Sequence, residues 1–125
     1  MTHARITFEN GSLSPVELAA ALSALPADIT FVDAEGIVRY YSAYRIFSRT
    51  PACLDRDVFE CHSETSRPGI SRMLQEFASG SRDDAVYSAE KNGRDVNVRY
   101  VALRDGEGSY LGCLEIAQWA DAGRI

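Results

Sequence analysis

The dipeptide Cys61-His62 is the part of this chain best equipped for chemistry. A thiolate and an imidazole can ligate iron or copper, or perform nucleophilic chemistry. Adjacent residues of an extended chain point to opposite sides, so the two side chains rarely reach the same metal. The plainest interpretation places Cys61 in the core and gives His62 a loop hydrogen bond. A small-ligand contact, a haem axial ligand and cysteine catalysis are the chemical alternatives, although the chain's other histidine is His3.

The cysteines as a set argue against covalent or metal cross-linking. Cys53, Cys61 and Cys113 are an odd number, and the chain contains no CxxC pair. A disulfide framework and a structural zinc site both need paired spacings that are absent here. We expect reduced thiols, and the sequence contains no CxxCH haem-attachment motif.

Aromatic and arginine side chains form the second constellation of candidate binding residues. The aromatic candidates are Phe31, Tyr40, Tyr41, Tyr44, Phe47, Phe59 and Tyr100. We expect most of them in the core and some around a cavity, because ligand pockets combine apolar walls with a few polar anchors. Arg45 and Arg49 can bind a carboxylate with their forked guanidinium groups. The alternative is that they pair on the surface with Asp55, Asp57 or Glu60.

Length and charge exclude several classes of protein. The 125 residues are enough for one core and too few for two, so we expect a single domain. The net charge is −5 and the basic residues are scattered, which argues against a nucleic-acid surface. No apolar run approaches the roughly 20 residues that span a bilayer, and no signal peptide is recognisable. We therefore expect a cytoplasmic protein with neither a nucleic-acid nor a membrane partner.

The hairpin predicted over residues 28–42 is the element around which the others are arranged. β-Branched and aromatic residues flank the turn Asp33-Ala34-Glu35-Gly36 on both sides. Asp33 can cap the turn through its carboxylate, and Gly36 can take a positive φ in a glycine bulge.

Two helices are predicted. Ser14 and Glu17 form a capping box at the start of a helix over residues 14–25, which carries a narrow leucine stripe and ends before Pro26. A second helix over residues 66–79 has Ser66 as its expected cap and Gly80 at its end. Residues 1–13 show no period and are expected to form a loose arm.

Three further strands follow the second helix. Asn92-Gly93 predicts a type I′ turn between the first two of them. Alternation predicts that Val96, Val98 and Tyr100 face the helices while Asn97 and Arg99 face outward. The expected order is helix, two strands, short helical turns, helix and three strands.

This order is that of a PAS domain, and the resemblance reaches individual segments. LPADITFVDAEGIVRYYS, RIFSRTPA, ECH, LQEFASGSRDD and VRYVALRDGEGSYLGCLEIAQ resemble the PAS module of the bacterial DUF438 family. Where that family runs Cys-His-Pro-Pro before its long helix, this chain has Cys61-His62-Ser63-Glu64. The resemblance implies an α+β fold with a five-stranded antiparallel sheet, short helices on one face and an N-terminal helix. The implied division is an arm over 1–13, the helix over 14–25, the PAS domain over 26–119 and a tail over 120–125.

The resemblance also implies a non-catalytic sensory module that binds a small apolar or carboxylated ligand. The predicted pocket residues are Phe31, Tyr41, Phe47, Cys61, His62, Ile70, Leu74, Tyr100 and Leu114. Haem bound through Cys61 or His62 is the first alternative, and nothing matches the Asn-Cys motif of light-sensing flavin relatives. A small enzyme with a cone-shaped pocket is the second, disfavoured because no strand is expected to place a buried carboxylate beside a histidine. We expect output through a homodimer formed by the N-terminal helix, or through a separate signalling partner.

Overall fold

The computed structural model describes residues 4–48 and 51–121, without the side chains of Pro51 and Cys61. In chain order the elements are β1 (Ile6–Phe8), β2 (Gly11–Leu13), α1 (Pro15–Ala24), β3 (Asp28–Asp33), β4 (Val38–Tyr41), 3₁₀ helices at Pro51–Cys53 and Val58–Cys61, α2 (Arg67–Ser79), β5 (Asp84–Lys91), β6 (Arg94–Arg104) and β7 (Tyr110–Trp119). The described residues follow the predicted order, with one additional hairpin in front.

Five strands form an antiparallel sheet in the order β4-β3-β7-β6-β5, which confirms the predicted α+β fold class. The last strand of the chain, β7, lies at the centre because it pairs with β3 on one side and β6 on the other. Met73 and Phe77 of α2 pack against Ala85 and Cys113 of the sheet. We call this covered side the inner face and the opposite side the outer face.

The register of β6 is as predicted. Val96 and Val98 are buried and Tyr100 is half-buried, whereas Asn97 and Arg99 are exposed. The period of two along an extended strand therefore carries the apolar set to the inner face.

Two turns predicted from short motifs have the expected geometry. The Oδ1 atom of Asp33 accepts hydrogen bonds from the backbone N–H groups of Glu35 at 2.9 Å and Ile37 at 3.1 Å. Asn92 and Gly93 both have positive φ, at 53° and 80°, as a type I′ turn requires. These local signals therefore join β3 to β4 and β5 to β6.

The capping box of α1 is present, and it starts the helix where predicted. The Oγ atom of Ser14 accepts from the Glu17 N–H at 3.1 Å, and the Ser14 N–H donates to Oε1 of Glu17 at 2.8 Å. None of the residues in α1 is buried, and Val16 is 78% exposed. The leucine stripe is therefore not buried against any other element in the described part of the chain.

The start of α2 differs from the prediction, whereas its end agrees. Ser66 makes no side-chain cap hydrogen bond, because its hydroxyl lies 3.1 Å from that of Ser63 instead. Gly80 ends the helix in the left-handed conformation, with φ 84°. Within the described ranges, no helix is long and apolar enough to cross a bilayer.

The prediction of a loose N-terminal arm is wrong for its described part. β1 and β2 pair as a short antiparallel hairpin. Arg5 holds this hairpin to α1: its guanidinium donates to Oγ of Ser12 at 2.8 Å and pairs with Glu17 at 3.0 Å. Strands of three residues leave no readable period, so a sequence pattern could not reveal them.

Candidate functional site

A cavity of about 520 Å³ opens between the first half of α2 and the inner face of the sheet. Its wall is mainly apolar, with a few polar groups. The lining residues are Phe47, Ser48, His62, Ser66, Gly69, Ile70, Met73, Tyr87, Ala89, Val98, Tyr100 and Glu115. Such a combination of size and lining is typical of a small-molecule pocket.

A second void of about 10 Å³, which we call the niche, adjoins the cavity at the sheet. The niche shares His62, Tyr100 and Glu115 with the cavity and adds Thr30. Its volume is about that needed for one water molecule. The cavity therefore has a wide apolar part and a narrow polar end.

Three polar residues lie side by side across the inner face at this polar end. Glu115 of β7 stands opposite Thr30 of β3 and opposite Tyr100 of β6. Thr30 is 2% exposed and Glu115 is 8% exposed. Within the described residues, Oγ1 of Thr30 has no hydrogen-bond partner. The centre of the inner face is thus polar although its surroundings are apolar.

Several lining residues were not predicted as pocket residues, among them Met73, Tyr87 and Glu115, and Glu115 is the acidic one. Glu115 is a buried carboxylate on a strand and lines the same cavity as His62, a placement that the sequence analysis did not expect. Burial raises the pKa of the Cys113 thiol to about 12, and repulsion from the nearby Glu115 carboxylate adds to that rise. Side chains alternate between the two faces along β7. Assigning Cys113 instead of Leu114 to the inner face would therefore have placed Glu115 there as well.

Four of the predicted pocket residues line the cavity: Phe47, His62, Ile70 and Tyr100. Leu74 lies beside them at the niche and packs against the buried cluster formed by Val32, Val38 and Val58. Contact between any of these residues and a ligand stays a prediction.

Three other predicted residues are not among those lining the cavity. The pairing of Phe31 with Leu114 places both on the outer face, since their neighbours Thr30 and Glu115 face inward. The expectation that Leu114 forms the pocket floor is therefore wrong by one residue, because its neighbour Glu115 faces the pocket. Tyr41 lies near the guanidinium of Arg45, whose central carbon is 5.5 Å from the ring centroid.

The dipeptide Cys61-His62 is only partly described, because the side chain of Cys61 lies outside the described set. The Nδ1 atom of His62 is 2.9 Å from the carbonyl oxygen of Val58. A carbonyl only accepts, so Nδ1 carries the proton, and in the neutral ring Nε2 keeps a lone pair. Among the described residues, no group of three or more His, Cys, Asp or Glu side chains could hold a metal ion.

Arg45 has a different partner from those predicted. It pairs with Asp28, whose side chain is fully buried, instead of a surface acid. The Oδ2 atom of Asp28 also accepts from the backbone N–H groups of Ile46 at 2.9 Å and Phe47 at 2.8 Å. This buried pair fixes the segment that brings Phe47 to the cavity rim. Arg49, like His3, lies outside the described residues.

Solved structures with the same fold extend over most of this chain. The C-terminal domain of a Streptococcus mutans protein is 30% identical, with a TM-score of 0.89, and the match covers 95% of this chain and 94% of that one. The PAS domain of BvgS from Bordetella pertussis is 15% identical, with a TM-score of 0.64 and 85% of each chain covered. The Aer2 receptor of Vibrio cholerae, described as a dual PAS-heme oxygen sensor, is 13% identical, with a TM-score of 0.52, over 75% of this chain and 94% of that one.

The family comparison agrees with these structures. No curated protein matches the chain. The family model described as "PAS domain" matches residues 18–118, which is most of the sequence and includes both walls of the cavity. The chain belongs to the PAS domain family.

Proposed function

We propose that this chain is a non-catalytic sensory module that binds a small ligand in the cavity beneath α2. The cavity is the observation that supports the proposal. Its volume of about 520 Å³ falls within the roughly 300–1,000 Å³ of small-molecule sites. Its few polar groups can orient a ligand while its apolar walls supply most of the binding free energy.

Occupancy is reported through the first turns of α2. Gly69 and Ile70 of these turns line the cavity, while Ser66 leaves the helix start without a side-chain cap. Backbone with few stabilising contacts opens locally at low free-energy cost. A ligand that contacts this part of the helix would therefore stabilise it more than the rest of the fold, and so change the surface that a partner meets.

Output passes through a homodimer formed by α1. This helix buries none of its residues, and its apolar side chains include Val16 and Leu18. Its only charged residue, Glu17, is held by Ser14 and Arg5. A second copy of the helix can therefore pack against it across a two-fold axis without like-charge repulsion.

A haem sensor is the second candidate, favoured by the orientation of His62. The carbonyl of Val58 fixes the imidazole through Nδ1 and leaves Nε2, which would hold the iron of a haem. Haem would supply an iron centre that binds a diatomic gas. The imidazole fits this role, whereas the buried carboxylate of Glu115 is a poor neighbour for an apolar porphyrin face. Haem therefore ranks second.

Native mass spectrometry with an absorption spectrum of the purified protein separates the two candidates. A small-ligand module should carry an added mass without a Soret band, or gain thermal stability with ligand as RT ln(1 + [L]/Kd). Phe47→Ala should reduce that gain, and Tyr41→Ala, outside the cavity, should leave it unchanged. Added haem that gives a sharp Soret band, lost in His62→Ala, would establish the second candidate and reject the first.

The enzyme alternative is tested on the same samples. Glu115 and His62 could in principle exchange a proton with a bound molecule, because both line the cavity. The sensory proposal expects the ligand to be recovered chemically unchanged after long incubation with the protein. Conversion that Glu115→Gln abolishes would show an enzyme instead.

A further inference from the structure

The hydroxyl of Thr30 is a buried polar group that the fold leaves unsatisfied. Thr30 lies on β3 with 2% of its surface exposed, and it lines the niche at the polar end of the cavity. Among the residues that the structure describes, its Oγ1 has no hydrogen-bond partner. A buried hydroxyl in this state costs free energy, because it has lost its hydrogen bonds to water without gaining others. A group that enters the niche and bonds to this hydroxyl is therefore favoured.

The imidazole of His62 supplies a second polar atom at the same void. His62 lines both the niche and the cavity. Its Nδ1 donates to the carbonyl oxygen of Val58 at 2.9 Å, so in the neutral ring Nε2 is an acceptor. That hydrogen bond also fixes the orientation of the ring. The niche thus offers one hydroxyl, which can donate and accept, and one ring nitrogen that accepts.

The size of the niche and the bonding capacity of its walls select the group that fits. About 10 Å³ admits one group the size of a water molecule. Tyr100 and Glu115 border the same void, and both already have interaction partners. A ligand hydroxyl can accept from the O–H group of Thr30 and donate its own proton to Nε2 of His62. A carboxylate is larger than one water molecule and has no proton to donate.

We propose that the cavity binds a small alcohol or phenol, with its hydroxyl in the niche between Thr30 and His62 and its apolar body against Phe47, Ile70 and Tyr87. This inference rests on the proposed ligand-binding function. In place of the apolar or carboxylated ligand expected from the sequence, it specifies a neutral ligand with a terminal hydroxyl. The apolar walls supply most of the affinity, and the two hydrogen bonds supply the selectivity.

Two probes with the same scaffold test the inference on the unsubstituted chain: 2-phenylethanol and its methyl ether, (2-methoxyethyl)benzene. Their dissociation constants are measured by ¹⁵N NMR titration of the full chain. Apolar walls alone would favour the ether, which has more apolar surface. The ether oxygen has no proton for His62, and its methyl group does not fit the niche. We therefore expect 2-phenylethanol to bind at least about fivefold more tightly than the ether.

The imidazole nitrogens of His62 report the proposed contact directly. In long-range ¹H–¹⁵N spectra of the neutral ring, the Nε2 resonance should move when 2-phenylethanol binds, because that atom accepts the ligand's proton. It should stay nearly unchanged when the ether binds, since the ether donates nothing. This measurement needs no variant, so it does not depend on whether a substituted chain folds.

Thr30→Val replaces the hydroxyl by a methyl group of nearly the same shape. It should weaken the binding of 2-phenylethanol several-fold, because the ligand hydroxyl then enters the niche without its donor. The affinity for the ether should change by less than about twofold. Thr7→Val makes the same change at an exposed position of β1 and should alter neither affinity.

The outcomes separate this inference from the proposed function. Three results overturn the hydroxyl inference while both probes still bind in the cavity: ether binding as tight as alcohol binding, an Nε2 resonance that the alcohol does not move, or an alcohol affinity unchanged in a folded Thr30→Val variant. If neither probe binds at millimolar concentration, the inference and the proposed function are both rejected.

Discussion

At the scale of single side chains, buried charged residues determine the shape of the site. Asp28 is fully buried and holds Arg45 together with the backbone of Phe47. The sequence suggested that Arg45 binds a ligand carboxylate or pairs with an acid on the surface. Its actual partner, Asp28, is the first residue of β3 and lies well before Arg45 in the chain. Such a pairing depends on the fold, so the spacing of the two residues could not reveal it.

Asp28→Asn should destabilise the protein by roughly 3 kcal/mol, because it removes the carboxylate that pairs with Arg45 in a site that is mostly buried. Urea unfolding followed by circular dichroism measures the loss. Asp55→Asn is the matched control: it breaks the exposed pair with Arg39 and should cost less than about 1 kcal/mol. Equal losses in the two variants would contradict the structural role of the buried pair.

Cys113 and Tyr110 make stability depend on pH in the alkaline range. Burial raises the pKa of Cys113 from 9.0 to about 12, and burial raises that of Tyr110 from 10.0 to about 12. From about pH 9 upward the unfolded chain releases protons that the folded chain keeps, so the free energy of unfolding should fall as pH rises toward 12. Cys113→Ala should make this fall shallower in urea titrations at several pH values. If the free energy of unfolding falls with pH equally steeply in both proteins, Cys113 is not the source of the pH dependence.

Secondary-structure elements were predictable where a local motif specifies them. The capping box of Ser14 and Glu17, the turn at Asn92-Gly93 and the C-cap at Gly80 each depend on a few neighbouring residues, and each is confirmed. The register of β7 was not predictable in this way. Its run of apolar residues on both faces gives no clean alternation, so Leu114 was preferred to Glu115 for the inner face.

Gly112 shows how closely β3 and β7 approach each other. It has φ 145°, and a Cβ atom there would overlap the carbonyl oxygen of Val32. Gly112→Ala should therefore destabilise the fold by roughly 3 kcal/mol in chemical denaturation. Gly11 has nearly the same φ, 143°, with nothing within 4 Å of a Cβ atom, so Gly11→Ala separates backbone strain from overlap. A loss no larger at Gly112 than at Gly11 would be incompatible with the close approach.

At the scale of the whole molecule, the inner face of the sheet is covered by α2 and holds the cavity. The helix α1, in contrast, has no buried residue within the described part of the chain. The fold class, the five-stranded sheet and four cavity residues followed from pattern and resemblance. The polar end of the cavity did not, because it is assembled from Thr30, Glu115 and Tyr100 on three different strands. Only strand pairing brings these residues into one row.

A homodimer through α1 should be visible by sedimentation equilibrium of the intact chain. Val16→Glu should weaken it, because that side chain is 78% exposed in the single chain and its replacement costs the monomer little. Deleting residues 1–24 should give a monomer. An intact chain that stays monomeric at high concentration would reject the dimer while leaving the cavity proposal untouched.

If the cavity beneath α2 is the ligand site, a side chain that fills it should abolish ligand binding. Gly69 lines the cavity and lies in a helix, and a Cβ atom at this position would have open space around it, so Gly69→Leu can fill the cavity without backbone strain. In ¹⁵N NMR titrations with 2-phenylethanol, we predict shifts concentrated around Ile70, Tyr87 and Tyr100 that disappear in Gly69→Leu and persist in the exposed control Gly106→Leu. Shifts that survive in Gly69→Leu, or that cluster on the outer face around Phe31 and Leu114, would show that the ligand binds elsewhere.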